Sequence, residues 1–149
     1  MDYENAYDKI YKYTYFRVRD RATAEDITQE TFLRFLAKYG TLREGDIRCL
    51  YTIAGNLCID EYRRVKPEPL PEVDSGSLYA SPDSSEDTAI IRAALSELSP
   101  EDRELLLLRH VNGEAVGTIA KIMNLSRFAV RRRLQAAEEN LRKRLEVDA

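Results

Sequence analysis

Residues 115–145 read AVGTIAKIMNLSRFAVRRRLQAAEENLRKRL, two amphipathic patterns separated by Asn124-Leu125-Ser126. In the first, Val116, Ile119, Ala120 and Met123 recur at helical spacing along one stripe. The turn chemistry follows directly: Asn tolerates the left-handed backbone of a tight turn, and Ser126 suits the N-cap of a new helix. In that helix Val130, Leu134, Ala137 and Leu141 share a narrow arc at about 100° per residue. Phe128, Arg131, Arg132 and Gln135 project to the other side, with Arg127 and Arg133 on the flanks. A scaffold helix followed by one that is apolar behind and basic in front is a helix-turn-helix, the geometry that enters a DNA major groove. The expected surface reads DNA and does not transform a small molecule.

The rest of the composition is consistent with this. The 149 residues allow one domain or two small ones near the lower size for an independent core. No run of eighteen apolar residues occurs and the start, Met1-Asp2-Tyr3-Glu4, is acidic. Neither a membrane span nor a secretory signal is expected, and the expected location is cytoplasmic. Cys49 and Cys58 lie nine residues apart in one helical pattern, hence on opposite faces, so the expectation is two buried free thiols and no bridge. The formal charge of −3 is unevenly spread: residues 1–64 are neutral, 65–87 carry a net −5, and 88–149 a net +2. Within 126–144 seven basic side chains face two acidic ones, and local charge governs contact with phosphates.

Residues 65–87 contain Pro67, Pro69, Pro71, Pro82 and Ser84-Ser85 without apolar periodicity, and read as a flexible acidic tether. Its 23 residues span about 75–80 Å at full stretch and about 25 Å as a coil. The predicted fold class is all-α, with a three-helix unit at 1–64 and a four-helix unit at 88–149. The first helix runs from about Tyr3 to Asp20 with Tyr7, Ile10, Tyr11, Thr14 and Val18 in register. The second runs from Thr23, its expected N-cap, to Tyr39, and Gly40 stops it. It clusters Thr31, Phe32, Phe35 and Tyr39 on one side and Asp26, Glu30, Leu33 and Ala37 on the other. That second face, acidic with an apolar Leu33, suggests either a docking surface or an ordinary solvated face. The third spans about Asp46 to Arg64 with Ile47, Leu50, Tyr51, Ala54 and Leu57 inward and Arg48, Asn56, Asp60, Arg63 and Arg64 outward. Beyond the tether, Thr88–Leu98 forms a helix, Ser99 caps the next with Pro100 at its first position, and Glu101–Asn112 ends at Gly113.

Three stretches, in order and at matching spacing, resemble bacterial RNA polymerase sigma factors. Residues 23–32 (TAEDITQETF) and 51–64 (YTIAGNLCIDEYRR) are similar to sigma region two, and the stretch from Leu98-Ser99-Pro100 to Leu145 is similar to region four. The small size and missing middle region match the extracytoplasmic-function class. The resemblance implies a non-catalytic initiation factor that binds core polymerase, directs it to promoters and helps open the duplex. It implies that Asp26, Gln29, Glu30 and Leu33 dock on the clamp helices of the beta-prime subunit, and that region four meets the beta flap. Leu42 and Arg43, within the Gly40–Gly45 loop, would hold a base flipped from the stack, an event that costs a few kcal/mol. Asn56, Asp60, Arg63 and Arg64 would meet the −10 element, and Arg127, Phe128, Arg131, Arg132 and Gln135 the −35 element. Arginines there can pair with guanine or clamp phosphates, and which does which is open. An anti-sigma factor is a further implied partner, and no cofactor is. Cys49 stands where the family usually has an aromatic, Gly55 where it has a basic residue, and Gly117 and Asn124 where it has an acid and a glycine.

An enzymatic reading finds little support. His110 is the only histidine, no Cys/His set has metal spacing, and no phosphate-cradling glycine loop occurs. Besides a sigma-like protein held as a pure protein-interaction partner, which the changes at Cys49 and Gly55 mildly support, the serious competitor is a helix-turn-helix regulator that binds DNA without acting as a sigma factor. Such a protein would share the terminal module but would not need Asp26, Gln29 and Glu30 or the Arg63-Arg64 helix.

Overall fold

The computed structural model describes residues 2–43, 46–65 and 86–148. Among these residues every regular element is helical. They form α1 (Tyr3–Val18), α2 (Arg21–Tyr39), α3 (Ile47–Val65), α4 (Glu86–Ser96), α5 (Pro100–Leu106) continued by a π turn (Leu107–Val111), α6 (Val116–Met123) and α7 (Arg127–Asp148). The chain divides into two compact units, α1–α3 and α4–α7.

In the first unit the three helices pack pairwise around Ile10, Tyr13, Phe32, Phe35, Leu50, Tyr51 and Ala54, all buried. Tyr13 meets Tyr51 edge-on with ring centres 5.2 Å apart, and Tyr3 and Tyr7 lie 5.0 and 5.7 Å from Phe32. Aromatic pairs at these separations add to the burial of their area. Three hydroxyls are also buried: Thr14, Thr28 and Thr31 each donate to the carbonyl four residues back, at 2.8, 2.7 and 2.7 Å. A buried donor is thereby satisfied without a partner on another helix.

Several sequence expectations shift. α1 ends at Val18, because Arg19 turns left-handed (φ 61°) and its N–H bonds to the Tyr15 carbonyl. Its fully buried stripe is Ala6, Ile10, Tyr13 and Thr14, with Tyr7, Tyr11 and Val18 half-buried, because two neighbouring helices widen the covered face. The cap of α2 is Asp20 and not Thr23: the Asp20 carboxylate accepts from both the Thr23 amide (3.1 Å) and hydroxyl (2.5 Å). Asp ranks above Thr at an N-cap. Tyr39, expected inward, is exposed because it is the last residue of its helix. Cys58 is buried as expected, whereas Cys49 is only half-buried, and both are free thiols.

In the second unit Ser99 caps α5, its hydroxyl accepting from the Asp102 amide at 3.1 Å, with Pro100 first in the helix. The predicted Glu101–Asn112 helix widens after Leu106 into a π turn, with the Asn112 amide reaching back to the Leu107 carbonyl at 3.0 Å. Four consecutive leucines, Leu105 to Leu108, are buried here. Four successive helical residues sweep most of a full circle, so this segment is enclosed on nearly every side. The expected tether lies for the most part outside the described residues, but α3 runs into it to Val65 and α4 begins at Glu86, ahead of Thr88. Glu86 and Asp87 fill the first turn of α4, where carboxylates complement the helix dipole.

The helix-turn-helix forms as its residues require. Asn124 is left-handed (φ 57°, ψ 48°) with its N–H on the Ala120 carbonyl. Ser126 accepts from the Ala129 amide at 3.0 Å. Ile119 and Ala120 of α6 are buried with Val130, Leu134 and Ala137 of α7, and Leu141 is half-buried.

Candidate DNA- and protein-binding surfaces

On α2 the core takes Ala24, Ile27, Thr28, Thr31, Phe32 and Phe35. Asp26, Gln29, Glu30 and Leu33 are left on the opposite side at spacings of three and four, so they form one patch. Asp26 and Gln29 are exposed, and Leu33 is 64% exposed, the most open large apolar side chain among the described residues of the first unit. Glu30 is half-buried and accepts from Arg34 Nε at 2.8 Å. That exposed intrahelical pair contributes only a few tenths of a kcal/mol by its class, roughly 0.3–0.5. It leaves Glu30 open to exchange partners.

On α3 the outward arc holds Asn56, Asp60, Arg63 and Arg64, all exposed, opposite buried Leu50, Ala54 and Cys58. Half-buried Cys49 falls on the same arc as Asn56, Asp60 and Arg63. Arg64 grips Glu61 through Nη2 (2.7 Å) and Nε (3.2 Å), and chiefly this hydrogen bond raises its pKa further. Arg63 is the cation of this arc with no such tie among the described residues. Ahead of α3, the Arg43 amide donates to the Asp46 carboxylate at 2.6 Å and the Asp46 amide returns to the Arg43 carbonyl at 3.1 Å. These two bonds leave the Arg43 side chain exposed and Leu42 half-buried. The rest of the Gly40–Gly45 loop expectation, residues 44 and 45, lies outside the described residues.

On α7, Arg127, Phe128, Arg131, Arg132 and Gln135 are exposed on one side. Phe128 is 78% exposed, which burial energetics does not favour for an aromatic ring unless something covers it. Charge on this helix is partitioned. Arg133 is ion-paired to Glu101, Arg142 to Glu139 and Arg144 to Glu97, two of these pairs tying α7 to other segments of the second unit. Arg127, Arg131 and Arg132 have no carboxylate partner among the described residues.

Two cations that sequence reasoning did not single out join this face. Arg109 and Lys121 line an open concavity of about 530 Å³ together with Gly117, Arg127 and Arg131. Arg109 is steadied there by donating to the Glu114 carbonyl at 3.0 Å. Lys121 stands four residues after Gly117, a spacing that could have signalled it. Arg109 enters through the π turn, for which the sequence carries no signal. His110 lies at an edge and contacts Glu138 at 2.7 Å. Among the described residues no cluster of His, Cys, Asp or Glu could hold a metal ion.

Residues 3–67 match the family described as Sigma-70 region 2, and residues 88–141 match Sigma-70, region 4. The RNA polymerase sigma factor CarQ of Myxococcus xanthus is 34% identical, over 86% of this chain and 78% of its own length. This chain belongs to the sigma-70 family, in its extracytoplasmic-function class. Other sigma-factor relatives include BldN of Streptomyces coelicolor (33% identical, 99% of this chain, 60% of BldN) and SigX of Bacillus subtilis (25% identical, 97% and 82%). The sigma-factor chain thus spans about three-fifths of BldN and four-fifths of SigX. Its fold is similar to that of the sigma factor RpoE from Bartonella quintana, solved in complex with the anti-sigma factor NepR (TM-score 0.68, 21% identity, 97% of this chain and 94% of that one). No helix among the described residues is long and apolar enough to cross a membrane.

Proposed function

We propose that the chain is an alternative sigma factor: it binds core RNA polymerase, recognises −10 and −35 promoter elements and helps open the DNA to start transcription. The observation that carries this reading is the presence, in one chain matching both sigma regions, of two unlike exposed faces: acidic with Leu33 on α2, basic with Phe128 on α7. A DNA-binding regulator needs the second and has no use for the first.

In this reading residues 1–64 hold polymerase and the −10 element, 65–87 are the tether, and 88–149 read the −35 element. Asp26, Gln29, Glu30 and Leu33 dock on the beta-prime clamp helices, with Leu33 supplying the apolar anchor and the carboxylates steering the encounter. The second unit meets the beta flap. Leu42, Arg43, Asn56, Asp60, Arg63 and Arg64 hold the separated −10 strand. Extruding a base costs a few kcal/mol, so polar groups at base edges and cations at phosphates must act together. Each of these tasks is binding, and the chain acts in the cytoplasm without catalysing a covalent step. An anti-sigma factor, such as the NepR solved with the similar RpoE, is a further partner in this reading.

The test is to mix purified chain with core polymerase and a promoter library and to sequence run-off transcripts. Specific start sites that depend on the chain are expected. DNA binding without polymerase-dependent transcripts would overturn the proposal in favour of a plain helix-turn-helix regulator.

A further inference from the structure

Four cationic side chains, Arg109, Lys121, Arg127 and Arg131, line the concavity between the start of α6 and the start of α7, and no carboxylate is among its lining residues. Like charges gathered in a recess walled by Ala115 and Val116 focus a positive potential that an anion relieves. One residue sets how Arg127 lies at its wall. A Cβ on Gly117 would stand 3.0, 3.2 and 3.3 Å from Nη2, Nε and Cζ of Arg127, so this guanidinium lies flat against the bare backbone of α6. An acid at this position would pair with Arg127 and cancel its charge. Glycine leaves that charge in place and lets the guanidinium lie back against α6.

We propose that this concavity seats one phosphate of the DNA backbone, that Gly117 keeps the seat open, and that Arg127 serves the backbone and not the base edges. The first helix of a helix-turn-helix crosses the backbone while the second enters the groove, and Arg127 is laid against the first. Arg131 lines the recess from the arc it shares with Phe128 and Gln135, so the seat adjoins the proposed base-reading side chains. The first turn of α6 has no side-chain cap, since Ala115 cannot supply one, and its residues Val116, Gly117 and Thr118 line the recess. A phosphate there positions the protein and carries no sequence information. This inference rests on the −35 reading above and deepens it.

The experiment uses the full chain and duplexes selected by it from a randomised pool, with dissociation constants measured across a salt series. Arg127→Gln and Gly117→Glu are each expected to weaken binding to selected and unselected duplexes by the same factor. Each should also flatten the slope of log affinity against log salt by about one unit. The ranking of sequences stays as it was. Gly117→Gln, which fills the space without the charge, retains more of the slope than Gly117→Glu. Should Gly117→Glu lose its helical signal, Arg127→Gln carries the same test at an exposed position. An unchanged slope in Arg127→Gln, or a changed sequence ranking, would overturn the seat. So would equal inhibition of duplex binding by inorganic phosphate, at constant ionic strength, in the wild type and Arg127→Gln, since the anion would then act without Arg127. Failure of the wild-type chain to bind any duplex would instead remove the −35 reading itself.

Discussion

The Tyr13 hydroxyl stands 3.1 Å from the point where a side chain on Gly55 would begin. Tyr13 is 1% exposed, accepts from Arg17 Nη1 at 2.7 Å and is fixed edge-on against Tyr51. The glycine that interrupts the family's basic position in α3 is therefore a packing partner of α1, and its cost in helix propensity is tied to that ring. Gly55→Ala should gain well under the ~1 kcal/mol that removing a helical glycine returns at an open site. In a Tyr13→Phe background, where the next atom is Arg17 Nη1 at 3.6 Å, the gain should reappear. Gly55→Arg should destabilise by about 1–3 kcal/mol through overpacking. Urea unfolding followed by tyrosine fluorescence reads this directly, because no tyrosine lies beyond position 79 and the signal belongs to the first unit and the segment after it. Strict additivity of the two substitutions would show that the contact does not constrain the helix.

The face of α2 should fail by charge reversal without unfolding. Asp26→Arg combined with Glu30→Arg is expected to lower affinity for core polymerase at least about 100-fold, since juxtaposed like charges cost several kcal/mol. Both positions lie outside the core, and the Glu30–Arg34 pair is exposed, so helical content should be unchanged. Retained co-purification with polymerase would remove these residues from the docking surface.

Neighbouring arginines on α7 should behave differently. Arg131 faces the concavity and has no carboxylate partner among the described residues, whereas Arg133 is committed to Glu101. Arg131→Ala should flatten the salt dependence of duplex binding by about one unit of slope. Arg133→Ala should leave that slope alone and cost at most about 1 kcal/mol of stability, as an exposed pair does. Equal slopes for both variants would contradict this partition.

Phe128 should read a methyl group. An apolar ring presented among arginines in a major groove suits the C5-methyl of thymine. Replacing thymines of a selected duplex one at a time by deoxyuridine should cost about 0.8 kcal/mol at one position, roughly one buried methyl's worth. Phe128→Ala should bind the two duplexes alike. A loss that persists in Phe128→Ala would assign the methyl contact elsewhere.

What the sequence made legible was what depends on neighbours along the chain. Asn124, Ser126 and the Ser99-Pro100 pair carry their turn and cap chemistry within three or four residues, and each does in the structure what its side chain dictates. The outward faces of α2, α3 and α7 were likewise periodic enough to be laid out by angle alone. What escaped depends on contacts across the fold. The cap of α2 is Asp20 because α1 stops at Val18 and frees that carboxylate to accept from the Thr23 amide and hydroxyl. The π turn at Leu107–Val111 begins within the buried run Leu105–Leu108, and nothing in the order of these residues announces it. Arg109 and Lys121 acquire a role only when α6 and the π turn meet. Gly55 and Gly117 read in sequence as departures from a family pattern; in space each is the vacancy into which another helix puts a polar group, Tyr13 in one case and Arg127 in the other.

The three threonines of the first unit have a mechanical corollary. Because Thr14, Thr28 and Thr31 spend their hydrogen bonds on their own helices, none of these three hydroxyls latches one rod to the next. Alignment of the bundle instead leans on interlocking rings, Tyr13 on Tyr51 and Tyr3 and Tyr7 on Phe32. Rods meshed by contour can shift against one another without stranding a buried dipole, a tolerance that suits the proposed grip on a large machine at one flank and a parted strand at another.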